Sequence, residues 1–388
     1  MKMRVLHFAK SFSPLSETFI YDYVTEVERQ GVDNHVVAFK RKNPERRPFP
    51  KVDIVERPNR WHPRRLWRRA LVPLGIGKAR TTDWPQIYDR LETVVRRVRT
   101  DVIHAHFGPA GVLMAPVAER LNVPMILTMY GYDISSLPEE SFWRGAYDDL
   151  WPRSEAVVVL SSEMKGTARD LGCPEEKLRV VHLSRDLDRF PYRPPEPPVE
   201  SVLFVGRLVP KKAPLDAVQA VEHTNEQGAN LHLDLVGDGP LREDVERFVH
   251  GQDLADTVTV HGRVPNAEVN ERMQGADVFL LPSKTASNGD REGTPTVLVE
   301  AQAVGLPCVT TRHAGIPEMI PEANHDLLTD EGDVAGLAAR LVRLSSQPPD
   351  ALTQVAKRGR MKVEREFSVS SQARELHELY KRVRTVPA

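Results

Sequence analysis

The sequence is poor in cysteine and has no long apolar run. Only two of its 388 residues are cysteines, Cys173 and Cys308, so we expect neither a disulfide framework nor a zinc cluster. No apolar stretch reaches the roughly 18 residues that a membrane-spanning helix needs. The apolar run near the N-terminus, Val5–Phe8, is too short for a signal peptide. We therefore expect a cytoplasmic protein.

Two chemical motifs are also missing. No cluster of metal ligands is evident, so we expect the protein to work without a metal ion or another cofactor. No Gly-x-Gly-x-x-Gly follows the first predicted strand, which argues against a nicotinamide-dependent dehydrogenase.

Short apolar runs rich in β-branched residues alternate with helical patterns along most of the chain. Val102–Ala105 is typical of a strand, and Gly111–Leu121 is typical of a helix. A stretch with five prolines between residues 190 and 200 interrupts the pattern, which restarts at Ser201. Strand–helix alternation favours parallel sheets covered by helices on both faces. The predicted fold class is α/β, with two doubly wound Rossmann-like domains facing each other across a cleft.

The predicted domains follow from this interruption and from the chain length, which suits two hydrophobic cores. The expected segments are an N-terminal acceptor-binding domain over 1–190, a linker over 191–200, a nucleotide-sugar-binding domain over 201–365 and a C-terminal helix over 366–388 that packs back on the first domain. Ligands of doubly wound sheets bind beyond the carboxyl ends of the strands, so the loops at these ends are the candidate sites.

The stretch from Glu292 to Glu300 combines a helix start with two carboxylates. Pro295 suits the first turn of a helix, whose free N–H groups and positive dipole end bind phosphate well. Glu300 would lie roughly one and a half turns into this helix, where its carboxylate can accept the hydroxyl groups of a ribose or hexose. A surface helix with unremarkable acidic residues is the competing interpretation.

A second strand end carries basic side chains. Gly206 follows the apolar run Val202–Val205, Arg207 comes directly after it, and Lys211 and Lys212 follow within six residues. Glycine lets the backbone approach a ligand closely, and basic side chains suit an anion such as a diphosphate. An ordinary solvated loop would have the same composition.

Together these motifs resemble the signature of the family 4 retaining glycosyltransferases of the GT-B fold. The pattern Glu-x7-Glu is formed by Glu292 and Glu300, with Gly293 after the first acid and Ala301 after the second. The resemblance extends over nearly the whole chain. Its other motifs, in the family's order, are Val205-Gly206-Arg207-Leu208, Gly237-Asp238-Gly239-Pro240-Leu241, Ala276-Asp277-Val278, Leu281-Pro282-Ser283 and Ala314-Gly315-Ile316-Pro317-Glu318.

The resemblance implies a role for each matching residue. Glu300 should hold the ribose of the nucleotide, and Glu292 should face the donor sugar. Arg207 and Lys212 should neutralise the diphosphate, while His106, the second histidine of a His-x-His strand end, should contact the sugar. The catalytic residues expected from this match are therefore His106, Glu292, Arg207 and Lys212. The further donor-binding residues expected are Gly206, Gly293, Thr294, Thr296, Arg263 and Val264.

The first domain offers candidates for sugar or acceptor binding. Asp133 ends a turn that resembles the family's Thr-x-His-Gly-x-Asp, although Tyr130 replaces the histidine. Ser16 and Glu17 lie in a loop whose sequence is similar to that of family members that build bacterial exopolysaccharides and surface glycans. Ser184-Arg185-Asp186 stands where Gly-Val-Asp is common, and residues 323–326 lack the usual glycines. We expect these two departures to alter turns more than chemistry.

Residues 57–80 contain eight Lys and Arg residues and no acidic residue, with Trp61 and Trp67 among them. Such a segment could lie on an anionic membrane, which would make the protein peripheral on the inner face of the membrane. A solvated insertion is the alternative. Nucleic-acid binding has no motif behind it, and we expect none.

The expected activity is that of a hexosyltransferase-type enzyme (EC 2.4). It would move a sugar from a nucleoside diphosphate sugar, UDP-linked rather than GDP-linked, to a hydroxyl group of a glycan or lipid-linked glycan. Exopolysaccharide or surface-glycan synthesis is the expected context. The alternatives are a GT-B nucleotide-sugar epimerase or hydrolase, and a non-catalytic nucleotide-binding protein.

Overall fold

The computed structural model describes residues 2–14, 18–56 and 84–384. The basic segment 57–80, for which membrane contact is predicted, lies outside the described residues, and so do Ser16 and Glu17. Among the helices that are described, none is long and apolar enough to cross a bilayer.

The chain forms two compact units. The first unit consists of Met1–Leu160, Met164–Val181 and Gln372–Ala388, and the second consists of Ser161–Glu163 and His182–Ser371.

A seven-stranded sheet, parallel throughout, forms the centre of the first unit. Its strands are β1 (Arg4–Ala9), β2 (Asp33–Ala38), β3 (Val52–Ile54), β4 (Val102–His106), β5 (Met125–Thr128), β6 (Ala156–Val159) and β7 (Leu178–Val180). In space their order is β3-β2-β1-β4-β5-β6-β7. Every residue of β4, β5 and β6 is buried, which shows that both faces of the sheet are covered.

Helices connect these strands, as expected for parallel neighbours that need crossover connections. They are α1 (Thr18–Arg29), α2 (Trp84–Val98), α3 (Gly108–Leu121), α4 (Ser141–Leu150) and α5 (Ser162–Asp170).

The second unit has a six-stranded sheet that is also parallel throughout. Its strands are β8 (Ser201–Val205), β9 (His232–Val236), β10 (Val258–Gly262), β11 (Val278–Leu281), β12 (Cys308–Thr311) and β13 (Leu328–Thr329). The spatial order β10-β9-β8-β11-β12-β13 reverses its winding between β8 and β11. This is the doubly wound order in which ligands bind at the point of reversal. The predicted α/β class with two doubly wound sheets is confirmed.

The helices of the second unit are α6 (Pro214–Glu226), α7 (Arg242–Gly251), α8 (Asn266–Gly275), α9 (Thr296–Val304), α10 (Ile316–Met319), α11 (Val334–Ser345) and α12 (Pro349–Glu366). Pro295 is the N-cap of α9, and Gly305 ends the helix in a left-handed conformation with φ of 109°. The helix start predicted from Pro295 therefore exists.

The last helix is α13 (Val369–Arg384). From Gln372 onward its residues belong to the first unit. Leu376 and Tyr380 of this helix are buried in the hydrophobic core of that unit.

The loop after β9 packs tightly on the loop after β8. Gly237 has a φ of 150°, and a Cβ atom on it would lie 1.7 Å from the carbonyl oxygen of Gly206. Two hydrogen bonds hold the loops together: the Gly206 N–H donates to Val236 O at 3.0 Å, and the Leu208 N–H donates to Asp238 O at 3.1 Å. Only glycine allows this approach at position 237.

We expect Gly237→Ala to lower the free energy of unfolding of the second unit by about 2–4 kcal/mol, from backbone strain and steric clash together. Gly228→Ala is the matched control, because Gly228 also has a positive φ, 91°, but no atom lies within 4 Å of its would-be Cβ. It should cost only about 1 kcal/mol. Urea unfolding followed by far-UV circular dichroism measures the free energy of unfolding of both variants. Equal losses of stability would show that the close contact at Gly237 is unimportant.

Candidate active site

Two loops of the second unit meet where its sheet reverses its winding. Lys212 ends a short 3-10 helix after β8, and Glu292 lies in the loop after β11. Lys212 Nζ is 3.1 Å from Glu292 Oε1, and the two side chains are only 13% and 8% exposed. Glu292 Oε1 is buried and accepts no hydrogen bond from the described residues. The contact is therefore an ion pair in which this oxygen has unused hydrogen-bonding capacity.

The neighbouring Lys211 fixes the same loop. Its Nζ donates to Asp290 Oδ1 at 3.0 Å and to the carbonyl oxygen of Arg291 at 3.1 Å. The Lys284 N–H, which lies just after β11, donates to Lys211 O at 3.0 Å. Consecutive lysines thus join the loop after β8 to the loop that carries Glu292.

A buried histidine holds the backbone of Glu292. The Glu292 N–H donates to Nε2 of His313 at 3.0 Å, and His313 Nδ1 lies 2.6 Å from Glu331 Oε1. Because Nε2 accepts the amide proton, the ring carries its own proton on Nδ1 and donates it to Glu331. The Thr285 N–H also donates to Glu331, at 2.8 Å. Burial would raise the pKa of Glu331, but the hydrogen bonds from Thr285 and His313 outweigh it and lower that pKa.

The start of α9 lies next to this pair in the chain. Thr296 is its first residue, and the loop before it contains Gly293 and Thr294. The hydroxyl oxygen of Thr294 is buried without a hydrogen-bond partner among the described residues. The first-turn N–H groups of a helix have no partners within the helix, and its dipole is positive at this end. These groups can therefore bind an anion.

Glu300 lies one turn further along α9 and is paired with Arg185. Arg185 Nε donates to Glu300 Oε1 at 2.6 Å, and its second terminal nitrogen donates to Thr296 Oγ1 at 2.6 Å. Burial raises the pKa of Glu300, and the charge and hydrogen bond of Arg185 oppose this increase.

The remaining predicted residues of the second unit lie at the same edge of the sheet. Gly206 and Arg207 follow β8, while Arg263 and Val264 follow β10. Arg207 and Arg263 are exposed, and Val264 packs partly against the core. Their proposed ligand contacts stay predictions.

In the first unit, His106 belongs to a buried histidine cluster where β1 meets β4. His7, His104 and His106 have no exposed surface. His7 Nδ1 lies 3.2 Å from His106 Nε2, and Tyr130 Oη lies 2.8 Å from His106 Nδ1. His104 contacts Tyr380 Oη and Thr128 Oγ1, both at 2.7 Å.

One ring proton of the cluster is assigned by hydrogen bonds to Asn34. The amide nitrogen of Asn34 donates to Val24 O at 2.8 Å, so its Oδ1 accepts from His7 Nε2 at 3.1 Å. Tyr23 Oη lies 2.6 Å from His106 Nε2 and 2.9 Å from its Nδ1, closer than His7 Nδ1, and a hydroxyl group can donate or accept at either nitrogen. Burial disfavours a second proton on each of the three rings.

The cluster has a composition that could bind a metal ion, since ring nitrogens of the three histidines lie within 4.8 Å of one another. Each ring also hydrogen-bonds to protein atoms. Burial lowers the pKa of His7 to about 4 and lowers those of His104 and His106 well below their usual value. A ligand contact of His106 stays a prediction.

Asp133 is buried and holds the backbone of its own turn. Its Oδ1 accepts the N–H groups of Tyr130 at 2.8 Å and Gly131 at 3.0 Å, and its Oδ2 accepts the N–H of Gly108 at 2.9 Å. Burial raises the pKa of Asp133, although these three bonds oppose it. A contact with sugar or acceptor hydroxyl groups stays a prediction.

The similarity of the chain to known proteins extends over both units. Residues 16–189 match the family model described as Glycosyltransferase Family 4, and residues 185–362 match that described as Glycosyl transferases group 1. WcaL of Escherichia coli (strain K12), named for colanic acid biosynthesis, is 31% identical over 407 residues, which cover 97% of this chain and 99% of WcaL. This chain belongs to the family 4 glycosyltransferases.

Other relatives agree with that membership. The amylovoran biosynthesis glycosyltransferase AmsK of Erwinia amylovora is 29% identical over 408 residues, covering 98% of this chain and 100% of AmsK. The crystal structure of Anabaena HepE in complex with UDP and glucose has a TM-score of 0.72 at 17% identity, covering 98% of this chain and 100% of HepE. The predicted GT-B class is thereby confirmed, and the chain is a glycosyltransferase.

Three residues of this glycosyltransferase that contact the predicted site were missed from the sequence. Arg185 was expected to affect a turn more than chemistry, and His313 and Glu331 were not singled out. A signal existed for His313, which lies two residues after a buried strand that ends at the same edge as the site. Arg185 is a charged residue where the family commonly has valine, which was also a visible signal.

The neutral histidine cluster predicts that the first unit loses stability in acid. His7 has a pKa of about 4 in the folded chain and its ordinary value of 6.5 when unfolded, so between these values the unfolded chain binds more protons. The contribution of His7 to the free energy of unfolding should be fully present above pH 6.5 and should be lost as the pH falls towards 4. The free energy of unfolding should decrease by roughly 3 kcal/mol from His7 alone.

Tryptophan fluorescence during urea unfolding measures this effect selectively, because all five tryptophans lie in the sequence of the first unit. The partly exposed His232 of the second unit provides a control, and His232→Gln should leave the fluorescence-detected pH profile unchanged. A flat profile of the parent protein across this pH range would contradict the assignment of neutral, buried rings.

Proposed function

We propose that this glycosyltransferase moves a hexosyl group from a nucleoside diphosphate sugar to a hydroxyl group of a glycan or lipid-linked glycan, with retention of anomeric configuration. The observation that carries the proposal is the Lys212–Glu292 ion pair, placed where the second sheet reverses its winding and close in sequence to the start of α9. This site offers both a positive charge and a hydroxyl acceptor.

Each part of a nucleoside diphosphate sugar has a matching group in the second unit. The diphosphate would bind the free N–H groups at the start of α9, with Lys212 and the exposed Arg207 supplying charge. Glu300 would accept the ribose hydroxyl groups, and Glu292 would accept a hydroxyl group of the transferred sugar.

In the proposed reaction, the bond between C1 of the sugar and the leaving diphosphate oxygen breaks as a bond from C1 to the acceptor oxygen forms. The acceptor's proton passes to the leaving diphosphate. Incoming and departing oxygens use the same face of the sugar, which preserves the configuration at C1. The enzyme's contribution is mainly electrostatic: Lys212, Arg207 and the helix start stabilise the negative charge that develops on the diphosphate. Because these groups already supply the positive charge, we propose that the enzyme needs no metal ion.

The relatives support the choice of substrates. WcaL and AmsK are named for the biosynthesis of colanic acid and amylovoran, which favours exopolysaccharide or surface-glycan synthesis here. HepE has been crystallised with UDP, with UDP and glucose, and with UDP-glucose, which favours a UDP-sugar over a GDP-sugar donor.

A donor panel tests this function in two stages. Thermal unfolding with UDP- and GDP-sugars should show a higher melting temperature for the true donor, because ligand binding stabilises the folded state. With that donor and a lipid-linked glycan acceptor, nucleoside diphosphate release should continue in EDTA, and NMR should show a retained anomeric configuration. A new sugar formed from donor alone would instead indicate an epimerase or hydrolase, and absence of turnover with intact donor binding would indicate a binding protein.

In the same assay Glu292→Gln should lower kcat about 100-fold or more, because an amide holds the sugar hydroxyl less strongly and leaves Lys212 without its charge partner. Glu246→Gln is the matched control: Glu246 is 45% exposed in its side chain and pairs with Arg242 on α7. Normal activity of Glu292→Gln would refute the site assignment.

A further inference from the structure

Arg185 is anchored on both sides of its Cα atom. Its N–H donates to the carbonyl oxygen of Phe367 at 2.9 Å, and its own carbonyl oxygen accepts the N–H of Val369 at 3.0 Å. Phe367 is fully buried, and the ring of His182 stacks on it with centroids 4.7 Å apart. The backbone at position 185 is therefore fixed, and the direction in which its side chain extends is set by the fold.

From this anchor the guanidinium group reaches two residues on one face of α9. Thr296 and Glu300 are four residues apart and so lie one above the other on the helix. Arg185 binds both, with donor–acceptor distances of 2.6 Å, and the side chains of Arg185 and Glu300 are only 21% and 17% exposed. A planar guanidinium group with two such bonds fixes the direction of the carboxylate as well as its position.

The contact leaves Glu300 able to bind a diol. A carboxylate can accept about four hydrogen bonds, and the Nε bond from Arg185 takes one of them on Oε1. The ionised form is needed, because a protonated carboxyl group has one oxygen that donates rather than accepts. Burial favours the protonated form of Glu300, and Arg185 supplies the neighbouring positive charge that opposes it.

We propose that Arg185 is a positioning residue for the nucleotide: it holds the Glu300 carboxylate ionised and oriented so that both hydroxyl groups of a ribose can bind it. This inference rests on the proposed function, in which Glu300 receives the ribose. It makes Arg185 a determinant of the preference for ribonucleotides over 2′-deoxyribonucleotides. The opposite arrangement, in which the guanidinium group occupies the ribose position and must be displaced, predicts tighter binding when Arg185 is removed.

Calorimetric titration of the full chain with UDP and GDP, and with their 2′-deoxy counterparts, separates these arrangements. The parent protein should bind the ribose form of its nucleotide roughly tenfold or more tightly than the deoxy form, as expected for one charge-assisted hydrogen bond. Arg185→Val should weaken binding of the ribose form about tenfold and bring the two affinities close together. Arg185→Lys should restore part of the difference in affinity between the ribose and deoxyribose forms. Lysine retains the positive charge but lacks the planar group that binds two acceptors at once.

Arg189→Val is the matched control. Arg189 lies in the same segment, is 65% exposed in its side chain and pairs only with Asp186 among the described residues, so its removal should change neither affinity. Thermal unfolding of each variant shows whether it is folded before titration. A double-mutant cycle with Glu300→Gln gives a second readout: in that background Arg185→Val should cause little further loss of affinity, because the group it positions is gone.

The outcomes distinguish a failure of the proposed function from a failure of the proposed role of Arg185. A parent protein that binds neither UDP nor GDP contradicts the proposed function itself. A parent protein that binds one of them, with Arg185→Val binding as tightly or more tightly, overturns the role of Arg185 and leaves the proposed function standing. Equal affinity of the parent for ribose and deoxyribose forms also overturns it. Additive losses in the double-mutant cycle would show that Arg185 does not act through Glu300.

Discussion

The ion pair between Lys212 and Glu292 joins the two loops on which the candidate active site depends. Neither side chain has much contact with water, so removing one partner leaves a buried charge without compensation, at a cost of about 3–5 kcal/mol in comparable pairs. A buried ion pair adds little net stability to the fold, because well-packed apolar residues in the same place often give an equal or higher free energy of unfolding. Its value here is chemical: it places a cation and a carboxylate side by side at the edge where the second sheet can bind a ligand.

The surrounding contacts restrict how this pair can move. Lys211 binds the loop before Glu292, and His313 accepts the Glu292 N–H while donating to Glu331. Loops following four neighbouring strands, β8, β11, β12 and β13, therefore contribute to the position of one carboxylate. Groups that are already in place need not reorganise when charge develops on a substrate. This preorganisation is the main source of electrostatic catalysis. At the corresponding position of the first unit, between β1 and β4, lies a cluster of buried histidines that includes His106.

Much of the fold was predictable from local patterns. Buried strands such as Ala156–Val159 are continuous apolar runs, and the proline-rich stretch near residue 195 separates two sets of alternating elements. The strands β3, β7 and β13 could not be predicted in this way, because each has three residues or fewer, too few to show a period. The Glu292–Glu300 spacing and its helix start were recognisable because they are close in sequence. The partners Arg185 and His313 were not, because their bonds to α9 and to Glu292 join residues up to 115 positions apart, and only the tertiary fold brings these together.

We propose that the start of α9 and the loop before it bind the diphosphate of a nucleotide. Amide hydrogen exchange of the full chain, with and without saturating UDP, tests it directly, because N–H groups that have no partner within the helix would gain a phosphate acceptor. We expect slower exchange at residues 293–297 when UDP is present, with little change in β4 and the turn around Asp133. Binding of UDP that leaves exchange at residues 293–297 unchanged, or that slows exchange only in the first unit, would contradict this account.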